Sequence, residues 1–320
     1  MATGCAFPYA LEAPLRSVCA LGAALVMCVV SFAAGCSDEG GGSPGGGAAV
    51  TVQAANGSVT IPERPKRIVS LSPTHTETLF AIGAGAQVVA VDEYSDHPAN
   101  APKTKLSGFK PNAEAVVGYK PDLVVVSDDI DGIVQALEKV KVPVLLEPSA
   151  TRLDEAYDEI MDLGIATGHA EQARKLTGEM RAKIQQAVGS GGEAKGLSYY
   201  HELDDQLHTV TSKTFIGQVY GLFGLENIAD GAEKAAGGYP KLSQEYLLKS
   251  DPDLVFLGDT KCCGQNAEAV AKRPGWKDLT AVKRGGVVEL DDAIASRWGP
   301  RLPEFVQAIA DAVRKAPADR

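Results

Sequence analysis

The sequence predicts an α/β fold in which two α/β lobes with parallel-type sheets are joined by a long connecting helix. Short β-rich runs alternate with helical segments between residues 67 and 147, and the same alternation restarts between residues 198 and 290. This order is typical of parallel sheets buried on both faces. The two regions are separated by the amphipathic stretch "HAEQARKLTGEMRAKIQQAV". A third observation is that "NAEAVVGYKPDLVVV" (112–126) is echoed by "SQEYLLKSDPDLVFL" (243–257), so both lobes follow one plan.

Length and charge limit the classes of function. A chain of 320 residues exceeds the usual size of a single domain, which favours two lobes with separate cores. The net charge is −10 and no run of Lys and Arg forms a basic patch, so nucleic-acid binding is disfavoured. The predicted organisation is a lipoprotein signal peptide at 1–36, a flexible Gly/Ser linker at 37–50, an N-terminal lobe at 51–166, a connecting helix at 167–190, and a C-terminal lobe with a closing helix at 191–320.

In the N-terminal lobe, four short apolar runs predict strands: "RIVSL", "QVVAV", "PDLVVVS" and "VPVLLE". Helices are predicted between them at "SPTHTETLFAIGAG", "NAEAVVGYK" and "IDGIVQALEKV". Ser72, Thr74 or Thr76 is expected to cap the first helix, with Glu77 in its first turn. Glycine at 83 or 85 is expected to end that helix.

Two helical stretches follow, from Arg152 to about Ala166 and from His169 to about Val188; the second carries apolar residues at helical spacing. The C-terminal lobe has predicted strands at "LSYYHE", "PDLVFLGD" and "GGVVELD", and predicted helices at "TFIGQVYGLFGLEN", "SQEYLLKSD", "AEAVAKRPGW" and "LPEFVQAIADAVRK". In each lobe a proline, Pro121 or Pro252, stops a short helix and opens a strand. Glu114 and Glu245 each precede that proline by seven residues.

The N-terminus carries an export segment, because "VCALGAALVMCVVSFAAGC" is continuously apolar and follows Arg16. Its end, Ala33-Ala34-Gly35-Cys36, resembles the bacterial lipoprotein cleavage box, in which the cysteine is acylated and becomes the new N-terminus. An uncleaved transmembrane anchor is the alternative. Either interpretation places the remainder outside the cytoplasmic membrane, on a Gly/Ser-rich leash.

Cysteines and histidines leave several alternatives open. Removal of the export segment leaves Cys262 and Cys263 as thiols beside the acylated Cys36, and an adjacent pair lacks the C-x-x-C spacing of zinc and redox sites. The pair is consistent with a vicinal disulfide, with pairing to a partner, or with an ordinary loop. The five histidines are scattered, so a bare-metal site is a minority hypothesis; they are His75, His97, His169, His201 and His208. No enzyme motif of the G-x-S-x-G, P-loop or H-E-x-x-H type is present, which favours a non-enzyme.

Five segments, taken in order, resemble one known family: "RIVSLSPTHTETLFAIGAG", "DEYSDHP", the two echoed segments, and "SRWGPRLPEFVQAIADAV". The chain resembles the Fe/B12 periplasmic-binding family, the substrate-binding proteins of ABC importers for iron complexes and vitamin B12, over nearly the whole mature length. The resemblance implies the class III periplasmic-binding-protein fold, with ligand held between the lobes. It also implies a monomer with no intrinsic cofactor, whose partners are an ABC permease and its ATPase.

The resemblance assigns roles to individual residues. Glu114 and Glu245 match the carboxylates that pair with permease arginines, against the alternative that both are merely solvated. The implied ligand-binding residues are Tyr94, His97, Phe109, Tyr239, Arg297 and Trp298. Aromatic faces suit a flat macrocycle or a catecholate, so the expected ligand is a cobalt corrinoid or a ferric chelate. His97 or His201 is a candidate axial ligand to its metal.

Other functions stay open at this point. The alternatives are a haem-binding or bare-metal-binding protein of the same fold, or a thiol-redox lipoprotein that uses Cys262 and Cys263. The expected location is the outer face of the cytoplasmic membrane, through acylated Cys36.

Overall fold

The structure, a computed structural model, describes residues 49–194, 196–232 and 236–316. The predicted signal peptide, the acylation site Cys36 and nearly all of the Gly/Ser linker therefore lie outside the described residues. Within the described ranges, no helix is both long enough and apolar enough to cross a membrane.

The described chain opens with an antiparallel hairpin of β1 (Val50–Ala54) and β2 (Gly57–Ile61). Sequence analysis placed no strand here. The signal was the alternation of "VTVQAANGSVTI", in which Asn56-Gly57 is typical of a tight hairpin turn. Gly57 has φ of 104°, a conformation that favours glycine. Val52 and Ile61 point into the main core, so the hairpin covers one end of it.

The first sheet contains four parallel strands in the order β4-β3-β5-β6. Its strands are β3 (Ile68–Ser70), β4 (Val88–Val91), β5 (Leu123–Val126) and β6 (Val144–Leu146). Three helices alternate with them: α1 (Pro73–Ala81), α2 (Ala113–Val117) and α3 (Ile133–Glu138). This sheet and its helices form the first lobe.

One detail of α1 differs from the prediction. The helix begins at Pro73, whose fixed φ suits a first helical position, so Ser72 is the N-cap residue. The Ser72 side chain makes no capping hydrogen bond. Glu77 is consequently the fifth helical residue, in the second turn instead of the predicted first, and it is buried.

Two long helices follow, α4 (Leu153–Thr167) and α5 (Ala170–Gly191), and α5 packs against both α4 and the last helix of the chain. Both contacts depend on glycine. A Cβ at Gly164 would lie 2.4 Å from the Cβ of Ala173 in α5, and a Cβ at Gly191 would lie 3.0 Å from the Cα and Cβ of Ala310 in the last helix. The segment predicted as the connecting helix, 167–190, contains the end of α4 and most of α5.

The second sheet has four parallel strands in the order β10-β9-β7-β8. They are β7 (Ser198–Glu202), β8 (Glu226–Asn227), β9 (Leu254–Leu257) and β10 (Val287–Glu289). The helices of this second lobe are α6 (Phe215–Gly221), α7 (Gln244–Ser250), α8 (Thr260–Cys263), α9 (Ala267–Ala271), α10 (Thr280–Lys283), α11 (Asp292–Ala295) and α12 (Leu302–Lys315). The elements β8, α8, α10 and α11 were not predicted, because they are too short to show a hydrophobic period.

The two sheets share one topology, since each places its strands in the order second, first, third, fourth along the chain. The predicted α/β class with parallel sheets is confirmed. The echoed strands β5 and β9 occupy the same interior position, and the aspartate of each Pro-Asp pair has a structural role. Asp122 accepts hydrogen bonds from the amides of Lys66 and Arg67 at 2.8 and 2.9 Å. Asp253 accepts one from the amide of Ser198 at 2.9 Å.

The largest cluster of buried apolar side chains runs without a break between the lobes. It joins Leu79 of α1 and Leu163 of α4 to Met180 of α5, and then to Phe256 of β9 and Phe305 of α12. Two smaller clusters cover the other face of each sheet. The helices α4, α5 and α12 thus belong to a core that both lobes share.

Candidate functional site

The segments that follow the carboxyl ends of the two sheets meet each other. Tyr94 follows β4 in the first lobe and Arg297 follows β10 in the second; Arg297 Nη2 donates to the Tyr94 carbonyl oxygen at 3.1 Å. A second contact joins Gln218 Nε2 of α6 to the carbonyl oxygen of Thr151, which follows β6, at 2.6 Å. Ligands of parallel α/β sheets bind at the carboxyl ends of the strands, so the candidate site lies between these two edges.

Two aromatic side chains project from the first lobe at this edge. Tyr94 and Phe109 are 53% and 47% exposed, and their ring centroids lie 5.4 Å apart in an edge-to-face arrangement. Buried Asp92 holds the Tyr94 loop, because it accepts hydrogen bonds from the Tyr94 amide at 3.2 Å and from the Ser95 hydroxyl. Burial raises the pKa of Asp92, although the hydrogen bond from Ser95 opposes that shift. The exposed pair is thus mounted on a fixed backbone.

An ion triad of Glu77, Arg297 and Arg301 ties the lobes together. The Glu77 carboxylate of α1 is buried, and its Oε1 accepts from Arg297 Nη1 at 2.5 Å and from Arg301 Nη2 at 2.6 Å. Arg297 Nη1 also lies 3.0 Å from Asp96 Oδ1. We call Glu77, Arg297 and Arg301 the inter-lobe ion triad. The Arg297 guanidinium has these protein partners in the structure, and its ligand role stays a prediction.

Trp298 makes a further contact between the lobes. Its indole Nε1 donates to Glu159 Oε2 of α4 at 2.6 Å, and the same oxygen lies 3.2 Å from His75 Nε2 of α1. The rings of His75 and Trp298 meet edge to face at 6.0 Å. The indole is therefore oriented by Glu159, with part of its surface left exposed.

Acidic side chains gather next to this contact. Glu147 directly follows β6, is buried, and has an Oε1 atom without a hydrogen-bond partner. Burial, together with the nearby Asp162 and Glu159 carboxylates, raises the pKa of Glu147 to about 8. Burial and the carboxylates of Asp158 and Glu159 raise the pKa of Asp162 to about 6. Glu147 is consequently protonated at neutral pH.

Two further predicted ligand residues lie in different surroundings. His97 is exposed on the Tyr94 loop. Tyr239 is half-buried against the main core, and burial raises the pKa of its hydroxyl. His201, the other candidate axial ligand, is buried with Nδ1 2.8 Å from the Tyr220 hydroxyl, and burial lowers its pKa to about 3. This places His201 in the core as a neutral ring.

The remaining histidines also have protein neighbours, since His169 lies beside Arg64 and His208 beside Asp204. Across the part of the chain that the structure describes, no cluster of three or more His, Cys, Asp or Glu side chains is arranged to hold a metal ion.

The two proposed docking carboxylates occupy equivalent positions. Glu114 is the second residue of α2, which Asn112 caps, and Glu245 is the second residue of α7, which Ser243 caps. Both are exposed, and neither has an ion-pair partner among the described residues. Helix α9 repeats this arrangement with Asn266 as its cap, but its Glu268 pairs with Lys272.

A cavity of about 350 Å³ lies elsewhere, against α12 in the second lobe. Its lining includes Asp253 and Gly286, which precede β9 and β10, so it opens at the amino ends of those strands. This edge is opposite the one that carries Arg297, and the cavity is therefore separate from the candidate site.

Sequence analysis did not nominate three residues that shape the site: Glu77, Glu159 and Arg301. Two signals were available. Glu77 is the lone carboxylate in "SPTHTETLFAIGAG", and Arg301 stands within "SRWGPRLPEF". These residues, however, have distant partners. Glu159 and Trp298 are 139 positions apart along the chain, and Glu77 and Arg301 are 224 positions apart.

The profile of one protein family, described as Periplasmic binding protein, matches residues 68–294. The chain belongs to this family. An uncharacterized ABC transporter substrate-binding lipoprotein of Bacillus subtilis (strain 168), YvrC, is 32% identical over 271 residues, which cover 81% of this chain and 83% of that protein. A cobalamin-binding protein of Halobacterium salinarum is 30% identical over 269 residues, covering 81% of this chain and 72% of its own length.

Among solved structures, the periplasmic vitamin B12 binding protein BtuF of Vibrio cholerae superimposes with a TM-score of 0.68 at 25% identity. The match covers 80% of this chain and 99% of that one. The periplasmic binding protein described here thus shares both sequence and fold with its relatives over most of its length.

Proposed function

We propose that this periplasmic binding protein is the extracytoplasmic substrate-binding component of an ABC importer. It captures a corrinoid or a ferric chelate between its lobes and delivers it to the permease, without covalent chemistry. The names of its relatives, an ABC transporter substrate-binding lipoprotein and a cobalamin-binding protein, support this role.

The observation that carries the ligand class is the exposed aromatic pair. Tyr94 and Phe109 leave about half of their side-chain surface in water at the edge where the lobes meet. Aromatic rings of this exposure bind planar, polarisable ligands by stacking and apolar burial, at little cost in side-chain entropy. Tyr94, His97, Phe109, Tyr239, Arg297 and Trp298 form the proposed ligand site, within which Arg297 would meet amide or carboxylate groups of the ligand.

Ligand titration of the purified protein tests this proposal. We expect cobalamin or a ferric siderophore to change the visible spectrum and quench tryptophan fluorescence, with haem as the third ligand in parallel. Tyr94→Ala is expected to weaken binding by about tenfold, equivalent to about 1.4 kcal/mol. The exposed Val140, far along the chain in the α3–β6 connection, provides the control Val140→Ala, with no effect. If none of the three ligands binds, or if Tyr94→Ala binds normally, the ligand site is misassigned.

Delivery to the permease is proposed to use Glu114 and Glu245. One fixed carboxylate on each lobe, exposed and without an ion-pair partner within the described ranges, is available to pair with arginines of a two-fold transporter. The two charges together would also report whether the lobes are correctly disposed.

Attachment to the membrane is proposed to occur through acylation of Cys36, which would leave the body on a Gly/Ser-rich leash. Labelling of the expressed protein with a radioactive fatty acid tests this, because Cys36→Ser should abolish the label. Label retained in that variant would favour another anchor.

A haem ligand remains the alternative within the same site, since the aromatic pair also suits a porphyrin. The spectrum distinguishes the two, because haem and cobalamin absorb at different visible wavelengths.

A further inference from the structure

Two adjacent thiols lie at the site-facing edge of the second sheet. Cys262 and Cys263 are the last two residues of α8, which follows the carboxyl end of β9. Both cysteines are exposed and neither is in a disulfide, yet their Sγ atoms are only 2.7 Å apart. The proposed transport function gives this pair no role.

Helix α8 is held on the start of α11 by two carboxylates, of which Asp291 pairs with the Lys261 ammonium. Asp292, the first residue of α11, accepts hydrogen bonds from the amides of Lys261 at 3.0 Å and Cys262 at 2.7 Å. It also accepts one from the Thr260 hydroxyl at 2.8 Å. Since α11 leads within two residues to Arg297 of the inter-lobe ion triad, the backbone at Cys262 is connected to the contact between the lobes.

A disulfide between neighbouring residues is strained. Consecutive Cα atoms are about 3.8 Å apart across a trans peptide, whereas the Cα atoms of disulfide-bonded cysteines are usually about 4.4–6.8 Å apart. We therefore expect bond formation to strain the peptide between Cys262 and Cys263 and to shift the Cys262 amide that donates to Asp292. Strained, exposed disulfides are the ones that are readily reduced again.

We propose that Cys262 and Cys263 form a reversible redox site, in which a vicinal disulfide rearranges α8 and loosens α11 through Asp292. The oxidant is a disulfide such as glutathione disulfide. One cysteine thiolate attacks it and releases one glutathione, and the neighbouring thiolate then displaces the second. Two S–H bonds and one S–S bond are exchanged for one new S–S bond and two S–H bonds, so the protons end on the two glutathione molecules. The proposal does not depend on which ligand the protein carries.

The surroundings of Cys262 bear on the rate. Partial burial of the sulfur, the contact with Cys263 and the Asp292 carboxylate raise the pKa of the Cys262 thiol, although the residue as a whole is exposed. Exchange needs the thiolate, so uncatalysed exchange at neutral pH is slow and incubations must be long enough to reach equilibrium.

Peptide mapping of the full chain tests the chemistry. Trypsin cleaves after Lys261 and Lys272, so one peptide, Cys262–Lys272, carries both thiols. The cysteines near the N-terminus fall in other peptides. The protein is equilibrated in buffers of increasing glutathione disulfide content and then alkylated. We expect the doubly alkylated peptide to be replaced by an unalkylated peptide whose mass is two hydrogens below that of the peptide with two free thiols. Return to reduced glutathione should restore both alkylation sites. A peptide that stays doubly alkylated in the most oxidising buffer, or that carries only bound glutathione, overturns the proposal.

Hydrogen–deuterium exchange tests the coupling. Oxidation is expected to accelerate amide exchange several-fold in residues 291–301, whereas α7 should be unchanged and serves as the internal reference. In the double variant Cys262→Ser with Cys263→Ser, the two buffers should give identical exchange. Disulfide formation without any change in residues 291–301 would contradict the coupling through Asp292.

Discussion

The buried Glu77 carboxylate forms ion pairs with two guanidinium groups of the other lobe, those of Arg297 and Arg301. The candidate site therefore depends on partners that are distant along the chain. The Glu77 side chain is 2% exposed, while those of Arg297 and Arg301 are 13% and 18% exposed. Two positive charges held this close are stable only because the carboxylate lies between them.

Replacement of Glu77 by Gln is therefore expected to destabilise the fold by about 3 kcal/mol, since it removes the buried carboxylate from two partly buried guanidinium groups and leaves Arg297 with only the exposed Asp96 as an ion-pair partner. Urea unfolding provides the measurement. The control is Glu179→Gln, which removes an exposed partner of Lys175 at 3.8 Å and should cost less than about 0.5 kcal/mol. Equal effects from the two variants would show that the triad contributes no more than a surface ion pair.

Glu147 predicts a pH dependence. Its pKa is about 8 in the folded protein and 4.5 ordinarily, so between these values the unfolded chain releases a proton that the folded protein keeps. Wild-type stability is thus expected to fall as pH rises through this window. Glu147→Gln cannot ionise, and its stability relative to wild type should increase by more than about 1 kcal/mol from pH 4.5 to pH 8.5.

Urea unfolding at the two pH values measures this difference. Exposed Glu63→Gln is the control, because that side chain stays in water in both states. A stability difference between Glu147→Gln and wild type that is independent of pH would contradict the raised pKa.

At the scale of elements, helix packing distinguishes glycines that look alike in the sequence. Gly164 and Gly178 both lie inside long helices, α4 and α5. A Cβ at Gly164 would lie 2.4 Å from the Ala173 Cβ, whereas a Cβ at Gly178 would meet nothing within 4 Å. Only the first of these glycines is required by the contact between the helices.

Alanine at the two positions should consequently have opposite effects. Gly164→Ala is expected to destabilise by about 1–3 kcal/mol, because α4 and α5 must separate. Gly178→Ala is expected to stabilise by up to about 1 kcal/mol, because alanine favours the helix and the site is open. Thermal unfolding followed by circular dichroism measures both, and a stable Gly164→Ala variant would mean that the two helices pack less closely.

The same scale shows what local sequence signals predict. The strands β5 and β9 and the amphipathic helix α12 were predicted because their apolar residues recur with a period that any packed element must have. The hairpin of β1 and β2 was missed although it has the same kind of period and a turn signal. The four-residue helices α8 and α11 give no period at all, and only tertiary contacts such as the Asp292 carboxylate define them.

For the molecule as a whole, the structure separates the residues of the repeated segment that have a structural role from those that do not. The proline and the aspartate of each echoed segment have structural roles, and Glu268 of α9 shows that a first-turn glutamate is also compatible with helix stability alone. Glu114 and Glu245 differ from it in having no ion-pair partner among the described residues.

Glu114→Ala combined with Glu245→Ala is expected to leave ligand affinity unchanged and to abolish stimulation of the transporter ATPase, because the docking charges are lost. Glu268→Ala is the matched control, with the same helix position and the same type of cap as Glu114. The measurement is the ATPase activity of the reconstituted transporter with the wild type, the double variant and Glu268→Ala. Normal stimulation by the double variant would remove the docking role.

The candidate site was only partly predictable at this scale. Tyr94 and Phe109 were nominated by resemblance, and the structure places their ring centroids 5.4 Å apart. The partners of Arg297 and Trp298 were not foreseen, because Glu77 and Glu159 belong to the other lobe and no local pattern relates residues so distant.

The inter-lobe ion triad has one more consequence, for unfolding. Glu77 and Arg301 are 224 positions apart along the chain, and their contact supplements an apolar core that is itself continuous between the lobes. Unfolding of one lobe would expose that core and leave the charges of the triad without their partners. Neither lobe is therefore expected to stay folded alone. The protein is expected to melt as one cooperative unit, with a single calorimetric transition in place of the two that independent domains would give.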